Sequence, residues 1–207
     1  MGAMKRLALS LVLAALLWTV MFSPLTAPHV DFWIAMSCSA LTLSVLATCF
    51  RPGWWRGLRW SAANVALGVA IAVALWAAFW VGDKAAAWLF DFARPQVAEI
   101  YGMKDGQSPW LLTALLLLVI GPAEEIFWRG YVQRTLSDRF GADWGFVAAT
   151  SAYALVHVGS CNFMLVMAAL VAGVFWGAFY RFFPRRFPAI ILSHALWDAA
   201  VFIWFPI

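Results

Sequence analysis

Glu124 and Glu125 stand side by side just beyond an apolar run, Trp110–Ile120, and Arg129 follows four residues after the second glutamate. Ionisable groups in so apolar a stretch are costly, and function is their default reading. On a helix Glu125 and Arg129 are i,i+4 neighbours and can pair on one face. Glu124 points about 100° away around the axis. The spacing therefore predicts two jobs: Glu125 locked by arginine, and Glu124 free to act on water as a general base. Pro122 either kinks this helix or starts a new one; a new helix would put both glutamates in a first turn, where free N–H groups favour carboxylates. Two more pairs share a helical face in later apolar segments, Tyr153 with His157 and His194 with Asp198. Carboxylates and imidazoles gathered in such surroundings point to hydrolysis. The plain alternatives are a solvated helix end for the glutamates and a packing role for each histidine. His29, in a short loop beside Pro28, has no such company.

Membrane helices must position these residues. The chain is 65% hydrophobic and 12% charged, with 14 Trp and 17 Phe among 207 residues, and its mean hydropathy is +0.84. That composition excludes an ordinary soluble domain, and apolar runs that are continuous rather than alternating argue against a β-barrel. The expected fold is an all-α polytopic transmembrane bundle, one integral membrane domain over 1–207. About seven spans are expected, near Leu7–Phe22, Phe32–Phe50, Ala62–Val81, Trp110–Trp128, Trp144–Val158, Phe163–Tyr180 and Ala189–Phe205. Three of them fall in 1–81 and four, the catalytic core, in 110–205.

Basic residues test this division. Lys5, Arg6, Arg51, Arg56, Arg59, Arg129, Arg134, Arg139, Arg181, Arg185 and Arg186 fall on one side, and Lys84, Arg94 and Lys104 on the other. The positive-inside rule then puts the N-terminus in the cytoplasm and the C-terminus outside. The net charge of +4 needs no nucleic-acid partner, because topology accounts for it. Lys5-Arg6 before Leu7–Val20 also resembles a signal peptide, but Ser23–Pro28 is a poor cleavage site, and a retained first helix is preferred. Gly82–Pro109 is the long polar connection; its Trp88, Leu89, Phe90 and Phe92 suit an interfacial anchor, or a segment that admits substrate. Cys38, Cys49 and Cys161 give no disulfide framework, and Cys38 and Cys49 read as buried small hydrophobes.

Depth along the spans raises one conflict. At 1.5 Å per residue, Glu124 and His194 both fall in the cytoplasmic half of a core ~30 Å thick. His157 comes out about 20 Å from the cytoplasmic side, so its span is tilted, sunk into a cavity, or bounded differently.

Glu-Glu-x-x-x-Arg, an aromatic-x-x-x-His and a His-x-x-x-Asp, in that order and each on its own span, resemble the CAAX protease and bacteriocin-processing family (CPBP or Abi), which includes the type II CAAX prenyl endopeptidase. The resemblance covers about Trp110–Phe205; the first three spans match only as generic hydrophobic helices. It implies an intramembrane, glutamate-dependent endopeptidase. Carried over by position, Glu124 would activate the attacking water with the help of His157, Glu125 and Arg129 would be the supporting pair, and His194 with residue 198 would stabilise the oxyanion. Two positions depart from the family pattern. Tyr153 stands where phenylalanine is usual, and Asp198 where asparagine is commoner. An asparagine amide donates to an oxyanion, whereas an ionised aspartate only accepts. Asp198 must then be protonated, orient His194, or ligate a metal. Zinc held by Glu124, His157 and His194 is the alternative to a metal-free site; against it, no His-Glu-x-x-His spacing is present.

The sequence thus predicts cleavage, without a cofactor, of a membrane-embedded or membrane-associated peptide or protein near its terminus, by a multi-pass protein of a bacterial cytoplasmic membrane. A non-catalytic bacteriocin-immunity or scaffold protein on the same fold is a second reading. A proton-coupled transporter is a third, weakened by the lack of an inverted repeat. A fourth makes Cys161 a nucleophile with His157, four residues before it.

Overall fold

A computed structural model describes residues 2–207. Eight helices are present among the described residues: α1 (Ala3–Phe22), α2 (Phe32–Phe50), α3 (Ala62–Leu89), α4 (Ala93–Gly102), α5 (Pro109–Phe140), α6 (Ala142–Leu155), α7 (Phe163–Phe182) and α8 (Pro184–Trp204). No strand occurs among the described residues. Six helices, all but α4 and α6, are long and apolar enough to cross a bilayer. The protein is an integral, multi-pass, all-α membrane bundle.

The seven expected passes change at the fifth. α6 has 14 residues, a rise of about 21 Å against a core of ~30 Å. Local chain geometry sets both of its ends. Gly141, at φ +87°, makes the turn from α5, a conformation that a side chain resists. Beyond Leu155 the chain tightens into a single 3₁₀ turn, Val158–Ser160, and Cys161 adopts φ +54°. Asn162 then caps α7 by accepting from the Leu165 N–H.

The passes still alternate in direction. Arg51 pairs with Asp138, Arg181 with Asp143, and Arg186 donates to Asn64, all at one end of the bundle. At the other end Trp33 donates to the Met103 carbonyl and Asn162 to the Gln96 carbonyl.

α3 runs past the expected boundary at Val81 to Leu89, since Ala85-Ala86-Ala87 are strong helix formers and nothing before them breaks the ladder. The rest of the polar connection holds α4, which is not a free anchor. Tyr101 donates to the Val201 carbonyl and Lys104 to the Phe202 carbonyl, while Gln96 accepts from the Met164 N–H. Trp88, Leu89, Phe90 and Phe92 are exposed beside it.

Two apolar clusters form the core. Leu7, Trp18, Leu43, Phe127, Trp128 and Val132 join α1, α2 and α5, with Tyr153 of α6. Ile71, Leu75, Trp176, Ile190 and Trp197 join α3, α7 and α8. The polar residues singled out above lie along the seam. Cys38 and Cys49 do not belong to either cluster. Both are exposed, on the outward face of α2, because the packed face is taken by Met36, Ala40, Leu43 and Ala47.

Candidate active site

α5 carries the two glutamates through a continuous helix. Pro122 neither breaks it nor starts another. The turn before it, Leu116–Ile120, is a wider π turn, and the Gly121 N–H reaches back five residues to the Leu116 carbonyl. That shift absorbs the gap left by a residue without an N–H. A second π stretch, Ile126–Gln133, follows the glutamates. Since the helix does not start here, no first turn stabilises the carboxylates, and side chains do so instead, Arg129 from the same helix and Tyr153 and His194 from neighbouring ones.

Gly121 allows the closest of these approaches. A Cβ there would sit 2.7 Å from the Ala195 Cα, so α5 and α8 meet backbone to backbone. One result is the contact between Glu125 and His194, whose Nδ1 lies 2.7 Å from Oε1. The same oxygen accepts from Arg129 Nη1 at 2.8 Å. Glu125 is fully buried and its Oε2 has no hydrogen-bond partner among the described residues. Arg129 is held further by the Gly173 carbonyl at 3.4 Å and by the faces of Tyr153 and Trp176, at 4.9 and 5.6 Å from their ring centres. The i,i+4 pairing read from the sequence is therefore present, as part of a larger knot.

His194 lies flat on Trp176, with ring centres 3.8 Å apart and planes at 16°. Its Nε2 stands 3.5 Å from Asp198 Oδ2, too far for a good hydrogen bond. Glu124 is buried, and its Oε2 accepts from the Tyr153 hydroxyl at 3.1 Å. His157 is tied at both nitrogens. Nε2 accepts from the Trp18 N–H at 3.1 Å, and Nδ1 lies 2.8 Å from the Tyr153 carbonyl. An indole N–H only donates, so Nε2 bears the lone pair and Nδ1 the proton. The depth conflict is thereby resolved. His157 sits in the turn beyond the end of α6, beside Trp18 near the end of α1, and Tyr153, one turn earlier, reaches Glu124 in its place.

Glu124, Tyr153, His157, His194 and Asp198 line one cavity of about 490 Å³. The rest of its wall is mostly apolar, from Phe22 and Trp33 to Met167, Ile120 and Phe202, and it extends to α4 and the end of α3, where Asp83 and Tyr101 join the lining. The geometry thus gathers five polar side chains at one end of a greasy hollow. Glu125 and Arg129 lie behind this wall and hold it.

The zinc alternative meets a poor donor set. Among the described residues, no three His, Cys, Asp or Glu side chains are grouped to hold a metal ion. Both nitrogens of His157 are spoken for, and Nδ1 of His194 faces Glu125. The same ties leave His157 with no nitrogen to activate Cys161, which is exposed in the α6–α7 turn.

Sequence reasoning passed over Trp18, Trp176 and Gly121, for which nothing in the chain distinguishes one tryptophan or glycine from another. The Tyr153 hydroxyl did leave a signal, its departure from phenylalanine, which the sequence alone gave no reason to weigh.

Residues 106–200 match the family model described as type II CAAX prenyl endopeptidase Rce1-like. The family that the three motifs resemble is therefore the one that this match supports, and the matched stretch contains Glu124, Glu125, His157, His194 and Asp198. At the level of the family it supports an intramembrane CAAX-type protease. Comparison with curated proteins and with solved structures returns no match.

Proposed function

We propose that this protein is an intramembrane endopeptidase of a bacterial cytoplasmic membrane that hydrolyses a peptide bond near the terminus of a membrane-associated peptide or protein. The observation that carries the reading is the convergence of Glu124, His194 and Asp198 on the polar end of an otherwise apolar cavity. Glu124 is the general base. Its single protein hydrogen bond among the described residues is on Oε2, which leaves Oε1 for a water. Glu124 takes a proton from that water as the oxygen attacks the scissile carbonyl, and later gives it to the leaving nitrogen.

Glu125 and Arg129 are positioning residues. A carboxylate can only accept, so Glu125 fixes the proton on Nδ1 of His194 and turns Nε2 towards Asp198 and the cavity. When protonated, Nε2 donates to the oxyanion. His157 acts through Tyr153, whose carbonyl it holds, and does not touch the water. No step is assigned to a metal, because the residues offered for zinc do not form a donor set.

The test is a cleavage assay on purified protein in lipid vesicles. Candidate substrates are a farnesylated peptide ending in Cys-aliphatic-aliphatic-X and an unprenylated apolar leader peptide, with products read by mass spectrometry, with and without a strong chelator. Chelator-insensitive cleavage at one bond is expected. Chelator-sensitive cleavage would overturn the metal-free mechanism, and tight binding without cleavage would favour the scaffold reading.

A further inference from the structure

Several hydrogen-bond donors around the polar end of the cavity are engaged within the protein. The Trp18 N–H goes to His157, and Nδ1–H of His157 to the Tyr153 carbonyl. Arg129 is spent on Glu125 and the Gly173 carbonyl. The Trp33 N–H goes to the Met103 carbonyl, and the Trp128, Trp176 and Trp197 N–H groups, which have no partner among the described residues, are buried away from the cavity surface. Asp198 adds only acceptors when ionised, and it stands 3.5 Å from the one imidazole nitrogen that faces the cavity. A negative charge growing on a carbonyl oxygen there would meet a carboxylate on the side where it needs a donor. Beside Nε2 of His194, the donor in direct contact with the base is the Tyr153 hydroxyl, which is bonded to Glu124 in the resting site.

We infer that Tyr153 is a catalytic residue, whose hydroxyl donates to the oxyanion in place of the donor that Asp198 does not supply. The inference rests on the proteolytic reading of Glu124 above. In the resting site the hydroxyl donates to Glu124 Oε2 at 3.1 Å. When Glu124 removes a proton from water, negative charge leaves the carboxylate and collects on the carbonyl oxygen as the new C–O bond forms. The attacking oxygen and the oxyanion share one carbon, and the phenol, being bonded to the base, lies on the side of the cavity where that carbon must sit. The phenol shifts its hydrogen bond from the first to the second and keeps its proton throughout. Collapse of the intermediate breaks the C–N bond, and the proton held by Glu124 goes to the nitrogen.

The ring is fixed for this task. Arg129 covers its face, and Trp128 meets it edge-on with ring centres 5.1 Å apart. Gly173 of α7 makes room for it, since a Cβ there would lie 3.0 Å from Tyr153 Cδ1. The hydroxyl therefore needs only to rotate about its C–O bond to change partner.

The experiment compares Tyr153→Phe, Asp198→Asn, the double variant and Glu124→Gln in vesicles, on a membrane peptide that the wild type cleaves. Tyr153→Phe is expected to lower kcat by about a hundredfold with little change in KM. Asp198→Asn in that background should restore most of the loss. Wild-type kcat in Tyr153→Phe, or a double variant no faster than Tyr153→Phe alone, would overturn the inference. Cleavage by Glu124→Gln would remove the base and this inference together, whereas inactive Glu124→Gln beside fully active Tyr153→Phe would remove the inference alone. Difluorotyrosine at 153 keeps the ring and loses its proton at lower pH. It should bring the alkaline fall of kcat to lower pH, and an unmoved profile would overturn the assignment even if Tyr153→Phe failed to fold.

Discussion

Arg129 sets one guanidinium against Glu125, a carbonyl of α7 and the faces of two aromatic rings, all inside the bundle. A buried pair of this kind adds little net stability over apolar packing, but removing one partner strands the other charge. Arg129→Ala should therefore cost about 3–5 kcal/mol, read as a fall in the unfolding midpoint in detergent, together with loss of cleavage. Arg129→Lys should not restore activity, because an ammonium cannot cover two rings and a carboxylate with one planar fork. At Trp18, replacement by phenylalanine removes the N–H that sets the tautomer of His157. A loss of about 1 kcal/mol is expected, with a change in the His157 ring-nitrogen chemical shifts; unchanged shifts would contradict the tautomer. At this scale the sequence was legible where spacing along one helix decides the contact, as for Glu125 with Arg129 and His194 with Asp198. It was silent where the partner comes from another helix. Trp18 and His157 are 139 residues apart, and no periodicity links them.

Helices α5 and α8 meet at Gly121 and Ala195, and this meeting brings a carboxylate of one to an imidazole of the other. A side chain at 121 has no room to yield, since the atoms it would strike are backbone. Gly121→Val should push the helices apart, abolish cleavage and lower the unfolding midpoint, whereas Gly130→Ala, with only the Phe187 ring edge 3.4 Å away, should be tolerated. The cleavage assay and thermal unfolding read both. α4 tests a different contact. Its Tyr101, and Lys104 just beyond its end, donate to carbonyls in the π-helical last turn of α8, Val201 and Phe202, which lack helix partners of their own. Burial holds the Tyr101 phenol above its ordinary pKa, so it stays a donor through neutral pH. The Tyr101→Phe, Lys104→Met pair should raise hydrogen exchange in 93–105 severalfold without unfolding the bundle, and unaltered exchange would mean that α4 is held by other contacts. Span positions were legible because long apolar runs have few alternatives. The short α6 was not, because its ends are set by backbone turns at Gly141 and Cys161 rather than by hydropathy.

Two apolar clusters, one gathered on α1, α2 and α5 and the other on α3, α7 and α8, leave a hollow between them whose far end is polar. Each cluster draws helices from both 1–81 and 110–205, so the first three spans are part of the packing that shapes the cavity and not a separate anchor. A peptide bound in this hollow would leave bulk water before its carbonyl met Glu124, where the contrast between donors and acceptors counts for most. The order of charges along the chain indicated that such a polar centre exists. The cavity wall was not legible, because it is assembled from single residues of many helices, each ordinary in its own span. The most direct test of the account is cleavage of a membrane peptide by Glu124→Gln beside the wild type, in the same vesicles and at matched folded protein. The account predicts that the wild type cuts at one bond and the variant, folded and with an equal unfolding midpoint, cuts none. A folded Glu124→Gln that cleaves at the wild-type rate would contradict it.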